Sequence, residues 1–411
     1  MKILMVNKFH YSKGGSETYY FSLRRRLEED GHTVVDFSMQ DERNFPSPYA
    51  EYFVRPSDYA GASSAGDKLR MAANIVYSSE AKRKFGALVE KEKPDLVHLH
   101  VFQHQLSPSI LDVCKKYDLP TVYTAHDLKM VCLNYRMMHH GRLCEDCRDG
   151  RYIHCVQNRC VKASARKSGI CFAEGVLHRA RHSYDAIDFV LTPSRFYRDK
   201  LIEFGVAAER VVHLPNFLDG EAPTVNGSPF GKGYYLYFGR LSEEKGVGTL
   251  LKAFENTALP LVIAGTGPLE ESVRAAVASR QLPNITLAGF RTGQELTDIV
   301  GNARAVILPS EWYENGPYAA IEALRLSRPL IGADIGGIPE LIDGNGFLFP
   351  PKDAGGLRRA VEATEASDAS AYEAMERRSC ALFDASYRWE THADTLYAAY
   401  RRAISRHSTA Q

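Results

Sequence analysis

The sequence predicts an α/β protein of two doubly wound, Rossmann-like parallel-sheet domains. Three observations carry that reading. Short apolar runs alternate with amphipathic segments over almost the whole chain, the pattern of parallel sheets with helices on both faces. The 411 residues exceed what a single hydrophobic core, limited to roughly 250–300 residues, organises. Two later segments, Tyr234–Phe254 and Arg304–Leu326, each read as a buried strand, a charged loop and a helix, which is where open α/β sheets bind ligands.

The elements follow in order. Lys2–Asn7 is a first strand. Ser16 is placed to cap a helix reaching about Glu29, with Tyr20, Leu23 and Leu27 on one face and Gly31 as its stop. Thr33–Phe37 is the next strand, and Asp41–Ala65 with Pro46, Pro48 and Pro56 reads as irregular. A helix is expected from about Asp67 to Glu90, then strands at Leu96–Leu99 and Thr121–Thr124. The alternation resumes near Asp188, and Ser194 is a candidate cap at a hinge. The expected domains are 1–192, 193–388 and a returning C-terminal segment 389–411 with Leu396, Tyr397 and Tyr400 as its apolar positions.

The chemistry concentrates in two loops. Glu314 and Glu322 flank the start of a predicted helix over Tyr318–Leu326, with Pro317 at its first position, where a missing N–H costs nothing. A helix start offers backbone N–H groups to an anion, and helical side chains lean back toward it. Two carboxylates around an anion site suit a ligand with hydroxyls at both ends and a diphosphate between, although two surface glutamates are the bland reading. Arg240, at a strand end, and Lys245, before the next helix, are placed to hold a diphosphate and stabilise it as it leaves.

These segments resemble the retaining glycosyltransferases of family 4, which have the GT-B fold of two such domains facing across a cleft, with the last helix returning to the N-terminal domain. The resemblance rests on ordered tags: Gly14-Gly15-Ser-Glu17, Pro94-Asp-Leu-Val-His98, Thr124-Ala-His126-Asp127, Thr192-Pro-Ser-Arg195, Pro215-Asn216, Ile263-Ala-Gly-Thr-Gly-Pro268, Leu287-Ala-Gly-Phe290, the paired glutamates and Gly332-Ala-Asp-Ile-Gly-Gly-Ile-Pro-Glu340. Asn315-Gly316-Pro317 stands where many members have Pro-Phe-Gly. The resemblance implies front-face sugar transfer from a nucleotide sugar, UDP- or GDP-linked, to a glycan or lipid-diphosphate acceptor in surface polysaccharide synthesis. By the same carry-over, Arg240 and Lys245 hold the diphosphate, Glu322 the ribose and Glu314 the sugar. The backbone of Gly316, Pro317 and Tyr318 and that of Gly15 face the donor, and His126 lies beside the reacting sugar. A sugar-nucleotide epimerase of the same fold and a non-catalytic binding protein are the alternatives. No Asp-x-Asp motif stands at a strand end, so no catalytic cofactor is expected.

Six of the eight cysteines fall between Cys132 and Cys171. Cys144, Cys147, Cys155 and Cys160 have the spacing of a structural zinc site, with Cys132 and His154 as substitutes; free thiols, disulfides and an iron–sulfur cluster are the other readings. The insertion is basic, with eight Lys or Arg against three Asp or Glu over Arg136–Lys167, and is expected to border an anionic acceptor. His98, His100 and His104 lack a suitably spaced carboxylate and read as lining the cleft or packed in the loop.

A net charge of +1 demands no nucleic-acid partner. No apolar run reaches the ~18 residues of a membrane span. The start reads as a buried strand rather than a signal peptide. The expected setting is cytoplasmic, with peripheral contact at the inner face of the membrane as an option.

Overall fold

Two all-parallel sheets of six strands each organise the chain, as a computed structural model shows. It describes residues 1–56, 65–220, 223 and 227–408, and the backbone alone at 65 and 67–70. The chain divides into two compact units. Met1–Pro193, Tyr197–Leu214 and Ala393–Gln411 form the first; Ser194–Phe196 and Pro215–His392 form the second.

In the first unit, β1 (Lys2–Val6) leads into α1 (Gly15–Glu29) and β2 (Thr33–Phe37). Then come α2 (Ala65–Val76), α3 (Ser79–Glu92), β3 (Leu96–Leu99), α4 (Leu111–Lys116) and β4 (Thr121–Thr124). The insertion contains a small hairpin, β5 (Met138–His139) and β6 (Arg142–Leu143), followed by α5 (Ile153–Gln157) and α6 (Ala165–Ala180). β7 (Phe189–Thr192), α7 (Arg195–Glu203) and β8 (Val211–His213) follow. The sheet order β2-β1-β3-β4-β7-β8 reverses direction between β1 and β3. In open α/β sheets the strand C-termini at such a switch point are where ligands bind.

Three details differ from the sequence reading. Gly14, not Ser16, is the N-cap of α1, and the Ser16 hydroxyl donates to Glu17 Oε1 at 3.0 Å instead. The helix expected over 67–90 is two helices, because the Ser78 side chain accepts from Ala81 N at 3.2 Å and starts a new one. The first unit extends past residue 192, because Val211–His213 pairs with β7 as the edge strand of its sheet. The irregular stretch read at 41–65 is described to residue 56, where Met39 bridges Val54 and Ala50–Tyr52 forms a 3-10 turn; its remainder lies outside the described residues.

In the second unit, β9 (Tyr234–Phe238), α8 (Val247–Phe254), β10 (Leu261–Ala264), α9 (Glu270–Ser279) and β11 (Ile285–Gly289) build one half. α10 (Gly293–Gly301), β12 (Ala303–Leu308), α11 (Tyr318–Arg325), β13 (Leu330–Ala333) and β14 (Gly346–Phe349) build the other, before α12 (Ala354–Glu365) and α13 (Ala369–Ser386). The order β11-β10-β9-β12-β13-β14 puts the switch point between β9 and β12. The central strands are buried on both faces, so β12 reads as the continuous apolar run Ala305–Leu308 rather than an alternating one. α14 (Trp389–Ser408) begins in the second unit and belongs to the first from Ala393 onward. There Tyr397 donates to Asp30 Oδ2 at 2.6 Å, and Tyr400 OH lies 2.7 Å from His98 Nδ1.

Ser78 also ties its own N–H to Ser107 Oγ at 3.0 Å, so it fixes both the break and the helix start. Ser78→Ala is expected to cost about 1 kcal/mol, read as a lowered denaturation midpoint with an unchanged slope.

Candidate functional site

The second-unit site is assembled at the β9/β12 switch point. The loop after β9 is pinned by Tyr237, whose hydroxyl donates to Arg240 O at 2.7 Å, and Arg240 itself is exposed. Residues 243–245 form a 3-10 turn that ends at Gly246 with φ 71°. A Cβ there would lie 1.8 Å from Pro309 O, so only glycine lets this loop cross the end of β12. Glu311 N donates to Glu244 O at 2.9 Å, and Thr249 donates to Glu311 Oε1 at 2.7 Å, which sew the two loops together.

This crossing brings Lys245 to Glu314. Lys245 Nζ lies 2.6 Å from Glu314 Oε1, and Ser310 Oγ donates to the same oxygen at 2.6 Å. Glu314 is 5% exposed. Burial alone would push its carboxyl up, but the ammonium and the hydroxyl outweigh burial and hold it below the usual carboxylate value. Lys245 also lies over the Trp312 ring at 5.4 Å. The backbone around Glu314 is clamped as well. Gly337 N donates to Glu314 O at 2.8 Å, and Asn216 Nδ2 donates to Gly316 O at 2.9 Å. Gly336, at φ 62°, approaches so closely that a Cβ would lie 2.5 Å from Glu314 N.

Pro317 is the N-cap of α11 rather than its first helical residue, and its carbonyl accepts from Ala320 N at 3.0 Å. Tyr318 opens the helix. Glu322 lies one turn further, where burial raises its carboxyl to about 7 and Arg325 partly offsets the rise. The two glutamates therefore differ sharply: Glu314 is ionised throughout the physiological range, and Glu322 titrates within it. Glu340 has a different task from a ligand-binding residue. Its carboxylate accepts from Arg195 N at 2.9 Å and Phe196 N at 2.7 Å, and so caps the start of α7. Ser194, the expected cap, donates to Asn315 Oδ1 at 2.9 Å instead.

In the first unit, His126 follows β4 and stands in a stack of imidazoles. His126 Nε2 lies 3.2 Å from His100 Nδ1, and the rings of His98 and His100 stack at 4.3 Å. His98 Nε2 reaches Thr124 Oγ1 at 2.8 Å and its Nδ1 reaches Tyr400, so both nitrogens are anchored. Tyr19 packs edge-on against His126 at 5.2 Å. Burial lowers His126 to about 3 and holds His100 well below the usual histidine value, so both rings are neutral at pH 7. Gly15 is the first residue of α1, at the same sheet edge.

Sequence reasoning missed the polar group around this histidine. Asp127 is raised to about 6 by burial, and Lys8 is lowered to about 8 by burial with Lys13 nearby. Asn7 bridges the loops after β1 and β3, donating to Phe9 O at 2.8 Å and accepting from Val101 N at 3.1 Å. The available signal was the Asn7-Lys8 pair at the end of the first strand. Lys129 was missed too. It is buried, pairs with Glu174 of α6 at 2.8 Å and donates to Leu133 O at 2.8 Å, which anchors the His126 loop on the insertion.

All four cysteines of the expected zinc set, with Cys132, line one cavity. His154, the other substitute, does not line it and contacts Gln157 at 3.0 Å. All eight cysteines are free thiols. Among the described residues, the groups whose ligand atoms lie within 4.8 Å of one another are His139–Cys144–Asp146 and His104–Cys171–Glu174. In the second group the Lys129 ammonium already pairs with Glu174 Oε2 at 2.8 Å.

Lys245→Ala is expected to lower stability by about 1–3 kcal/mol at pH 7, because it strands a buried carboxylate; the half-solvated ammonium keeps the figure below that of a fully buried pair. In the native protein the depressed Glu314 contributes stability above the ordinary carboxyl value, and that contribution is lost as pH falls through the folded one. The gap between wild type and variant should therefore narrow as pH falls below about 4.5, measured by denaturant titration.

Comparison with known proteins agrees with this architecture. A profile described as "Glycosyltransferase Family 4" matches residues 13–221, and one described as "Glycosyl transferases group 1" matches residues 220–379. The O-antigen chain mannosyltransferase C of Escherichia coli is 31% identical over 171 residues, which is 40% of this chain and 45% of that protein. The chain thus spans about half the length of that relative. The sucrose-phosphate synthase of Thermosynechococcus elongatus superposes with a TM-score of 0.70 at 18% identity, covering 98% of this chain and 99% of that one. Anabaena HepE in complex with UDP and glucose superposes with a TM-score of 0.61 at 14% identity, covering 97% and 98%. The structural likenesses speak for the GT-B glycosyltransferase fold, and the family-4 profile spans half of the sequence: this chain belongs to glycosyltransferase family 4.

Proposed function

We propose that this protein transfers a sugar, with retention of configuration, from a nucleotide sugar to a glycan or lipid-diphosphate-linked acceptor in cell-surface polysaccharide synthesis. The observation that carries the reading is the Lys245–Glu314 pair at the β9/β12 switch point, beside the exposed Arg240 and the start of α11. Family membership supports it, as do the O-antigen mannosyltransferase relative and the UDP found with HepE.

In this reading Arg240 and Lys245 hold the donor diphosphate. An ammonium has three protons, so Lys245 can satisfy Glu314 with one and phosphate oxygens with the others. Glu314 takes the sugar hydroxyls and Glu322 the ribose hydroxyls. The backbone of Gly316, Pro317 and Tyr318 is assigned to the donor at the helix start, as is the backbone of Gly15. The acceptor hydroxyl attacks the anomeric carbon on the face the leaving diphosphate vacates. The diphosphate oxygen accepts the hydroxyl proton as the carbon–phosphate-oxygen bond breaks. Neutral His126 orients the sugar or the acceptor hydroxyl by a hydrogen bond and takes no proton. The protein's contribution is positioning and charge stabilisation, and no metal is assigned to the chemistry.

The basic insertion is the proposed acceptor side. No described helix is long and apolar enough to cross a membrane, so we assign any membrane contact to peripheral binding, in a cytoplasmic setting.

Thermal stability against UDP-, GDP-, ADP- and dTDP-sugars tests the donor site. One donor should stabilise the wild type, and Arg240→Ala should lose that shift. No shift with any donor removes the reading. The Glu322 carboxylate accepts from the ribose only when ionised, so donor affinity should fall as pH drops below about 7, by up to about tenfold per unit, and Glu322→Gln should flatten that profile. Product from an α-linked donor should keep the α-configuration by NMR; a β-product excludes retention.

A further inference from the structure

We propose that the insertion is folded around a structural zinc ion held by Cys132, Cys147, Cys155 and Cys160, with Cys144 on the rim. This changes the ligand set that sequence spacing favours, and it stands independently of the donor-site reading.

The insertion lacks an apolar core of ordinary size. Its buried cluster is Leu133, Cys147, Cys155 and Cys171, so three of the four residues are cysteines. Its backbone is nevertheless held in costly conformations. Tyr135, Met137, His140, Asp149, Arg159, Lys162 and Ala163 all have φ between 45° and 60°, a region that non-glycine residues rarely enter. Such residues persist only where the surroundings over-determine them. So small a cluster does not supply that constraint, whereas a metal ion with four ligands does.

The five cysteines converge on one cavity from four separate segments: the turn after the His126 loop, the β6–α5 connection, α5 itself and the turn beyond it. The backbone holds Cys155 and Cys160 together, Cys160 N donating to Cys155 O at 3.0 Å. Cys147 and Cys155 are buried in one cluster, and Cys160 packs against it. Cys144 is drawn the other way, into the group with His139 and the exposed Asp146. Four thiols binding Zn²⁺ release four protons and leave a complex of charge −2. The excess of Lys and Arg over Asp and Glu across Arg136–Lys167 suits that charge.

Cys132 gives the ion a consequence for the site. Its N–H bonds Leu128 O at 2.8 Å, and Leu128 N bonds Tyr135 O at 3.3 Å, in the turn that follows His126 and Asp127. Ligation at Cys132 therefore fastens the histidine loop to the insertion, beside the Lys129–Glu174 pair.

Metal analysis of the purified full-length protein should find one zinc per chain. Alkylation followed by peptide mass spectrometry should show Cys132, Cys147, Cys155 and Cys160 protected and Cys144 modified. A chelator should release all four and lower the melting temperature. Cys144→Ser should keep the zinc and Cys132→Ser should lose it. If Cys132→Ser does not fold, the alkylation pattern of the wild type decides. Protein without metal, iron with acid-labile sulfide, or zinc that survives Cys132→Ser and is lost in Cys144→Ser each overturns the proposal.

Discussion

Glu314 is buried and ionised because Lys245 reaches it at 2.6 Å, with Ser310 on the same oxygen, and much of the second unit is arranged to permit the Lys245 contact. The ammonium arrives on a loop that must cross the end of β12, and the crossing needs a residue without a Cβ at position 246. The carboxylate sits in a backbone clamped by Gly336, Gly337 and Asn216. A buried carboxylate without its cation is costly, so the pair, the glycine and the strand order stand together. The same arrangement leaves Glu322 buried without such a close cation, which is why two glutamates one helix start apart differ in protonation.

The first unit uses neutral groups at the equivalent edge. His98, His100 and His126 form a stack whose inner member is fixed at both nitrogens by Thr124 and Tyr400. Burial keeps the rings His100 and His126 uncharged, so they orient partners by hydrogen bonds rather than by charge. Charge enters through the Lys129–Glu174 pair, which is buried and serves architecture: it holds the loop after β4 against α6. The Tyr400 contact means that the C-terminal helix helps to set the histidines, although 302 residues separate Tyr400 from His98.

The insertion departs from the logic of the rest of the chain. Elsewhere aliphatic and aromatic side chains from parallel strands and covering helices fill the core. Here short helices, a two-residue hairpin and several left-handed residues surround cysteines. Sulfur replaces hydrocarbon where the chain is too short and too polar to bury enough apolar surface.

The sequence by itself determined the alternation of strands and helices, hence two parallel sheets, because burial on both faces imposes continuous apolar runs such as Ile3–Val6 and Val306–Leu308. It also located the site residues near strand ends, since those ends are marked by Gly, Pro and charged residues. Only the tertiary structure decided what those residues do to one another. The pairing of Lys245 with Glu314, the caps given to α1 by Gly14 and to α7 by Glu340, and the break at Ser78 each depend on a partner or a backbone path that local propensity does not encode. Strand order is the deeper reason. It places the loop after β9 beside the loop after β12, about seventy residues later, and that adjacency is a property of the assembled sheet rather than of any local window of sequence.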